Sequence, residues 1–166
     1  GIEAAAKLAY SGSMSIESVR AFFRANAPDI DVIETEASSA TVALAAEAHG
    51  VEPDQIAKTI CIRVGERTVL VVMAGTARLD NRKCRETLGG KPRMLTADEV
   101  LEATSHPVGG VCPFGLPSAL PVYCDRSLEK FDTVVPAAGA TNAAVRIPPQ
   151  RMAALTAAEW VDVAQG

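Results

Sequence analysis

The sequence predicts an α+β fold, and three observations support it. Two β-branched, apolar runs, KTICIRV and RTVLVVMAG, flank Gly65-Glu66 and predict a central hairpin. Capped or amphipathic helical segments come before and after this hairpin in the sequence, without a regular βαβ alternation. The chain of 166 residues, 48% hydrophobic and 22% charged, suits one compact domain with its own core. We therefore expect a single domain over 14–166.

Residues 1–13, GIEAAAKLAYSGS, end in a Ser-Gly-Ser linker directly before Met14, which is typical of a vector-derived leader. No apolar run approaches membrane-spanning length, so no membrane association is expected. The four cysteines form no CxxC pair and indicate neither a disulfide framework nor a metal site, which suits a reducing cytoplasm. A net charge of −4 argues against general binding to DNA or other nucleic acid.

The part of the chain before the hairpin predicts two helices and one strand. Ser15 can cap a helix that runs to about Asn26. A short strand is expected at Val32–Thr35. The alanine-rich segment Ser39–His49 predicts the second helix, which Gly50 would end in a left-handed conformation.

The hairpin and the helices after it have clear signals. The second hairpin run is apolar almost throughout, so it should be a strand covered on both faces. Asp80 can cap a helix that Gly89-Gly90 would end, and Thr96-Ala97-Asp98-Glu99 is a capping box for a helix to about Ala103. The remaining expected elements are strands at Pro121–Cys124, Thr133–Val135, Asn142–Ile147 and Trp160–Val163, a helical turn at Leu128–Phe131, and a last helix from Pro148-Pro149.

The stretch Gly109–Gly115, GGVCPFG, interleaves glycine, proline and apolar residues without a helical or strand period. Glycine allows close approach to the main chain, and proline makes the adjoining turn rigid. The stretch is either a tight connection between strands or a shaped backbone surface that faces a ligand.

The common catalytic motifs GxSxG, HExxH, the Walker loop and GxGxxG are absent from the sequence. The two histidines, His49 and His106, are interpreted as structural or surface residues. Lys58, at the start of the first hairpin strand, either snorkels to solvent or points into a cleft, where it can hold a phosphate or polarise an ester carbonyl. Cys112 is either a nucleophile or a small packing thiol.

A basic segment lies between Arg78 and Arg93, where six cationic side chains face only two acidic ones. Such a patch can contact phosphates, or it can be the solvated face of a helix.

Taken together, these motifs resemble the YbaK family, which includes the editing domain inserted in bacterial prolyl-tRNA synthetases and its free-standing relatives. The resemblance covers about Ser15 to Val163. It rests on the alanine-rich helix ending in His49-Gly50, the run PDQIAKTI, the segment ARLDNRK, and the Gly-x-x-x-Pro pattern at Gly109 and Pro113.

The resemblance implies a mixed, mostly antiparallel and partly closed, barrel-like sheet flanked by helices. It also implies hydrolysis of the ester that joins a wrong amino acid to the acceptor end of proline tRNA. No cofactor or metal is expected for this reaction, and prolyl-tRNA synthetase is a potential partner. The implied catalytic residues are Lys58, Gly109 and Gly110. Implied substrate-binding residues are Thr41, Val111, Cys112, Pro113, Gly139 and Asn142. From the basic segment we expect Arg78, Arg82 and Lys83 to contact the tRNA.

The attacking group would be a positioned water or a group of the substrate, because an aminoacyl ester is already activated. Cysteine-directed relatives carry an acidic residue where this chain has Asn142-Ala143-Ala144, which favours alanine, serine or 2-aminobutyrate over cysteine. Two alternatives remain at this point: a binding module without catalysis, and a thiol hydrolase that uses Cys112.

Overall fold

The computed structural model describes residues 15–166. Within this range the helices are α1 (15–26), α2 (Val42–His49), α3 (Asn81–Leu88), α4 (Ala97–Thr104) and α5 (Pro149–Leu155). The strands are β1 (Ile33–Glu34), β2 (Ile56–Val64), β3 (Arg67–Ala74), β4 (Pro92–Met94), β5 (Val122–Asp125), β6 (Val135–Pro136), β7 (Ala143–Ala144) and β8 (Glu159–Val161). Two short 3-10 helices occupy Pro53–Gln55 and Arg126–Lys130. The predicted leader at 1–13 lies outside the described residues.

The predicted hairpin is confirmed and forms the centre of the molecule. β2 and β3 pair antiparallel from Val64 and Arg67 at the turn to Ala57 and Ala74 at the open end. Gly65 has φ 60°, the left-handed conformation that a two-residue hairpin turn requires. The side chains from 69 to 73 in β3 are fully buried, which confirms that this strand is covered on both faces.

The main sheet has six strands in the order β4-β2-β3-β5-β8, and β6 also pairs with β2. The α+β class is confirmed, but the expectation of a mostly antiparallel, barrel-like sheet is not supported. Three of the five strand pairings are parallel, because β5, β6 and β8 each lie parallel to their neighbour. Within residues 15–166 the sheet stays open, because no strand of this range joins β8 to the opposite edge. β1 and β7 form a separate antiparallel pair.

Side-chain caps define the helix starts. Thr41, Asp80 and Thr96 each accept a hydrogen bond from an amide in the first turn, and the capping box of Thr96 and Glu99 is complete. The second helix begins at Val42 rather than at the predicted Ser39. Both the amide and the hydroxyl of Ser39 donate to Thr141 O, which holds that residue outside the helix.

The shortest strands were the hardest elements to predict. β4 was missed, and the strand expected at Asn142–Ile147 is reduced to β7 and an isolated bridge between Val134 and Ile147. These short strands depend on partners that are distant in the sequence. Among residues 15–166, no helix is both long enough and apolar enough to cross a membrane.

Candidate functional site

A cavity of about 340 Å³ lies at the outer edge of β2. β4 pairs with 62–64 of this strand and β6 pairs with 56–57, so neither strand covers residues 58–61. The cavity occupies this gap, between the start of α2 and the loop at 108–111. Its volume is in the range typical of small-molecule sites.

The walls of the cavity are mainly small and apolar. Valine, isoleucine and leucine side chains line it together with six alanines, which are Ala40, Ala45, Ala57, Ala137, Ala143 and Ala144. Polar side chains on the lining come from Ser39, Thr41, Lys58 and Thr59. Such a lining favours a small ligand group that is fixed by few polar contacts.

Lys58 is the cationic side chain of the cavity lining. Its Nζ donates a hydrogen bond to Ala77 O, and within residues 15–166 it has no carboxylate partner at ion-pair distance. Burial lowers the pKa of Lys58, the nearby charge of Arg78 lowers it further, and Asp54 opposes this change. The half-buried ammonium is therefore available to an anionic or carbonyl group of a ligand.

Thr59 is a polar residue of the cavity that was not among the predicted site residues. Its Oγ1 is buried and has no hydrogen-bond partner among the described residues. Because an unpaired buried hydroxyl is costly, a rotation of this side chain that brings the hydroxyl to a bound ligand would recover free energy. The sequence signal that could have identified Thr59 as a site residue is its place next to Lys58 within an apolar strand.

The glycine loop closes one side of the cavity through close backbone contacts. Gly109 has φ 92°, and a Cβ at this position would lie 2.9 Å from Ala40 Cβ. A Cβ on Gly110 would lie 2.7 Å from Ala140 N. The Gly110 amide donates to Pro107 O, whereas the amides of Gly109 and Val111 have no acceptor within residues 15–166. These two residues line the cavity, and their amides are candidate donors to a ligand.

A buried hydrogen-bond cluster around His106 fixes the back of this loop. His106 Nε2 donates to Phe114 O at 2.7 Å, and Nδ1 lies 2.6 Å from Ser15 Oγ. Ser15 Oγ also lies 2.5 Å from Gly139 O, so the cluster joins α1, the glycine loop and the Gly139 turn. Burial lowers the pKa of His106, which favours the neutral ring. The predicted structural role of this histidine agrees with its position.

Cys112 is fully buried, and its Sγ faces His106 rather than the cavity. Burial raises the pKa of this thiol to about 12. A nucleophilic cysteine needs thiolate character and access to the substrate, and Cys112 has neither.

The structure brings Lys58, Thr41, Gly109 and Val111 together on the cavity lining. The other residues of the predicted pocket are not part of the lining: Gly110, Cys112, Pro113, Gly139 and Asn142. Asn142 Nδ2 donates to Thr35 O at 2.9 Å, so this side chain joins two loops.

The predicted tRNA-binding residues lie outside the lining. Arg82 is 3.9 Å from Glu86, and Lys83 donates to Asp162 and to Ala164 O. Arg78 is exposed and lies next to Ala77, which bonds to Lys58. Within 15–166, no cluster of His, Cys, Asp and Glu has the arrangement of a metal site.

A family model for the aminoacyl-tRNA editing domain matches residues 36–155, which include every residue of the cavity lining. The chain belongs to the aminoacyl-tRNA editing domain family. This editing domain is 47% identical over 152 residues to the uncharacterized protein YwhH of Bacillus subtilis (strain 168), and the alignment covers 90% of this chain and 97% of that protein.

Two further relatives connect the editing domain with prolyl-tRNA synthetase. A crystal structure described as a candidate trans-editing enzyme for prolyl tRNA synthetase has a TM-score of 0.85 and 33% identity, over 92% of this chain and 98% of that one. The proline–tRNA ligase of Solidesulfovibrio magneticus is 36% identical over 90 residues, which are 53% of this chain and 15% of the ligase. The editing domain thus corresponds to a small part of the ligase.

Proposed function

We propose that this editing domain is a trans-editing deacylase that hydrolyses the ester of proline tRNA mischarged with a small amino acid. The observation that carries the proposal is the small, alanine-lined cavity with the half-buried ammonium of Lys58 in its wall. The substrate is the aminoacylated acceptor end of the tRNA, and prolyl-tRNA synthetase is the proposed partner. Because this substrate belongs to translation, the proposed site of action is the cytoplasm.

The proposed reaction needs no nucleophile from the protein. A water oxygen attacks the ester carbonyl, the bond to the ribose oxygen breaks, and that oxygen takes the proton released by the water. The amides of Gly109 and Val111 would donate to the developing oxyanion, and Lys58 would hold the terminal phosphate or the ester oxygen. A hydroxyl of the terminal ribose can position the water.

The alanine lining supports selection by size. Ala143 and Ala144 lie in the cavity wall. The family resemblance implies an acidic residue in this segment in cysteine-directed members. Larger amino acids would clash with the wall, whereas an apolar wall separates small side chains poorly. We therefore propose alanine, serine and 2-aminobutyrate as preferred substrates, with weaker release of cysteine.

Arg78 is the predicted tRNA contact that the geometry favours most, because it is exposed and its charge acts on Lys58. Together the two cations would create a positive potential at the cavity for the phosphate of the terminal nucleotide. Arg82 and Lys83 already have acidic neighbours and would contribute less.

The test is a panel of proline tRNAs charged with alanine, serine, 2-aminobutyrate, cysteine or proline, with the loss of each ester followed over time. We expect rapid release of the first three, slower release of cysteine, and release of proline no faster than spontaneous hydrolysis. Failure to release any of the mischarged amino acids would overturn the proposed function.

A further inference from the structure

The mouth of the cavity carries two exposed, large apolar side chains. Met94 is 66% exposed and Val108 is 61% exposed, and both line the cavity. The other exposed large hydrophobic residue within 15–166, Leu44, is 43% exposed and does not line it. An apolar rim beside a binding cavity indicates a contact surface for an apolar part of the ligand.

The strand register relates this rim to Lys58. Met94 pairs with Ile62, and paired residues of antiparallel strands project to the same face. Lys58 is four residues before Ile62, so it projects to that same face, about 13 Å away along the strand. Ile60 lies between the two and also lines the cavity. The cavity therefore has a cationic part at Lys58 and an apolar rim at Met94.

The end of the cavity near β6 is different in character. Ile56 pairs with Val135, and Ala137 pairs with Ala144, so alanine and branched side chains close this end. Side chains of this kind suit a small aminoacyl side chain. A flat heteroaromatic ring fits the open apolar rim better than it fits this end.

We propose that Met94 and Val108 bind the adenine base of the 3′-terminal nucleotide, while the β6 end receives the aminoacyl group; this inference rests on the proposed function. The base and the ester lie on opposite sides of the ribose, so an aminoacyl nucleotide can extend from the rim past Lys58. A tRNA acceptor end is single-stranded, which leaves its terminal base free to stack on protein side chains. The thioether of methionine makes favourable contacts with aromatic rings.

The first test measures binding without catalysis. Methionine methyl groups are labelled with ¹³C, and adenosine 5′-monophosphate is titrated while their NMR signals are followed. We expect a saturable shift of the Met94 signal, assigned with Met94→Ser, and much smaller shifts of the fully buried Met73 and Met152. Uridine 5′-monophosphate, with its smaller ring, should bind more weakly. The inference is overturned if the Met94 signal does not respond, or if both nucleotides shift it equally.

The second test measures the kinetic consequence. Met94→Ser should raise KM for alanyl-charged proline tRNA about threefold to tenfold with little change in kcat, because the base is held away from the reacting bond. Leu44→Ser is the control, since it removes an exposed apolar side chain outside the cavity, and should leave both constants unchanged. An unchanged KM in Met94→Ser overturns the inference and leaves the proposed function intact. If the wild type releases no amino acid, the proposed function fails and the nucleotide titration alone decides the inference.

Discussion

At the scale of single residues, two residues of the cavity lining carry polar groups that have no side-chain partner within 15–166. Among the described residues, the ammonium of Lys58 has only a backbone carbonyl as its partner, and the hydroxyl of Thr59 has none. Both lie on the uncovered part of β2. Buried polar groups are normally satisfied within a protein, so these two are candidates for ligand contacts.

Cys112, in contrast, is not available to a ligand, because its thiol is fully buried and burial raises its pKa to about 12. We predict that Cys112→Ser keeps kcat/KM within about threefold of the wild type, because the thiol does not touch the substrate. The variant should lose about 0.5–3 kcal/mol of unfolding free energy, as is usual for a change at a packed site. Deacylation assays and chemical denaturation measure the two effects. A loss of activity in folded Cys112→Ser would support the thiol hydrolase instead.

At the scale of elements, the glycine loop determines the shape of the cavity. Gly109 packs closely against Ala40, two residues before α2, and Gly110 packs closely against Ala140 in the turn before β7. The loop thus joins two segments that are far apart in the sequence. Because these contacts are made by backbone and Cβ atoms, side-chain rearrangement cannot easily relieve a clash.

We predict that Gly109→Ala reduces deacylation at least about tenfold. The new Cβ would lie 2.9 Å from Ala40 Cβ, and φ 92° is strained for any residue with a side chain. Either effect moves the loop and its amides away from the ester. Single-turnover rates with alanyl-charged proline tRNA measure the loss.

Gly90→Ala is the matched control for this change. Its Cβ would meet Val64 Cγ1 at 3.1 Å, which is a side-chain atom that can move, and Gly90 does not line the cavity. We expect near wild-type rates for this variant. If Gly109→Ala were equally active, the loop would have no role in catalysis.

The secondary-structure elements that were predicted correctly are those that depend on local sequence rules. The hairpin, the caps at Asp80 and Thr96 and the stop at Gly89 rest on local rules, and the structure confirms them. β4 rests on three residues, Pro92–Met94, whose pairing with β2 is a tertiary contact. Local propensity does not reveal such a strand. Because β4 and β6 define the gap in which the cavity lies, the full lining could not be predicted from sequence patterns.

At the scale of the whole molecule, an open sheet creates the site. A closed barrel would have covered the edge of β2, whereas here β4 and β6 cover only its two ends. The family resemblance suggested Lys58 and Gly109, which line one cavity, and it also suggested Asn142 and Cys112, which are not part of the lining. Motif matching identifies segments, and only the fold decides which of their side chains face the ligand.

The most direct test of the account is single-turnover hydrolysis of alanyl-charged proline tRNA by the wild type and by Lys58→Ala, with tRNA affinity measured in parallel. Lys91→Ala is the control, because it removes the same charge from an exposed lysine outside the cavity. We predict that Lys58→Ala lowers the rate about 100-fold or more, the size of a lost transition-state contact, and weakens tRNA binding only modestly. An unchanged rate, or a loss of affinity with the rate at saturation preserved, would contradict the proposed catalytic role of this cavity.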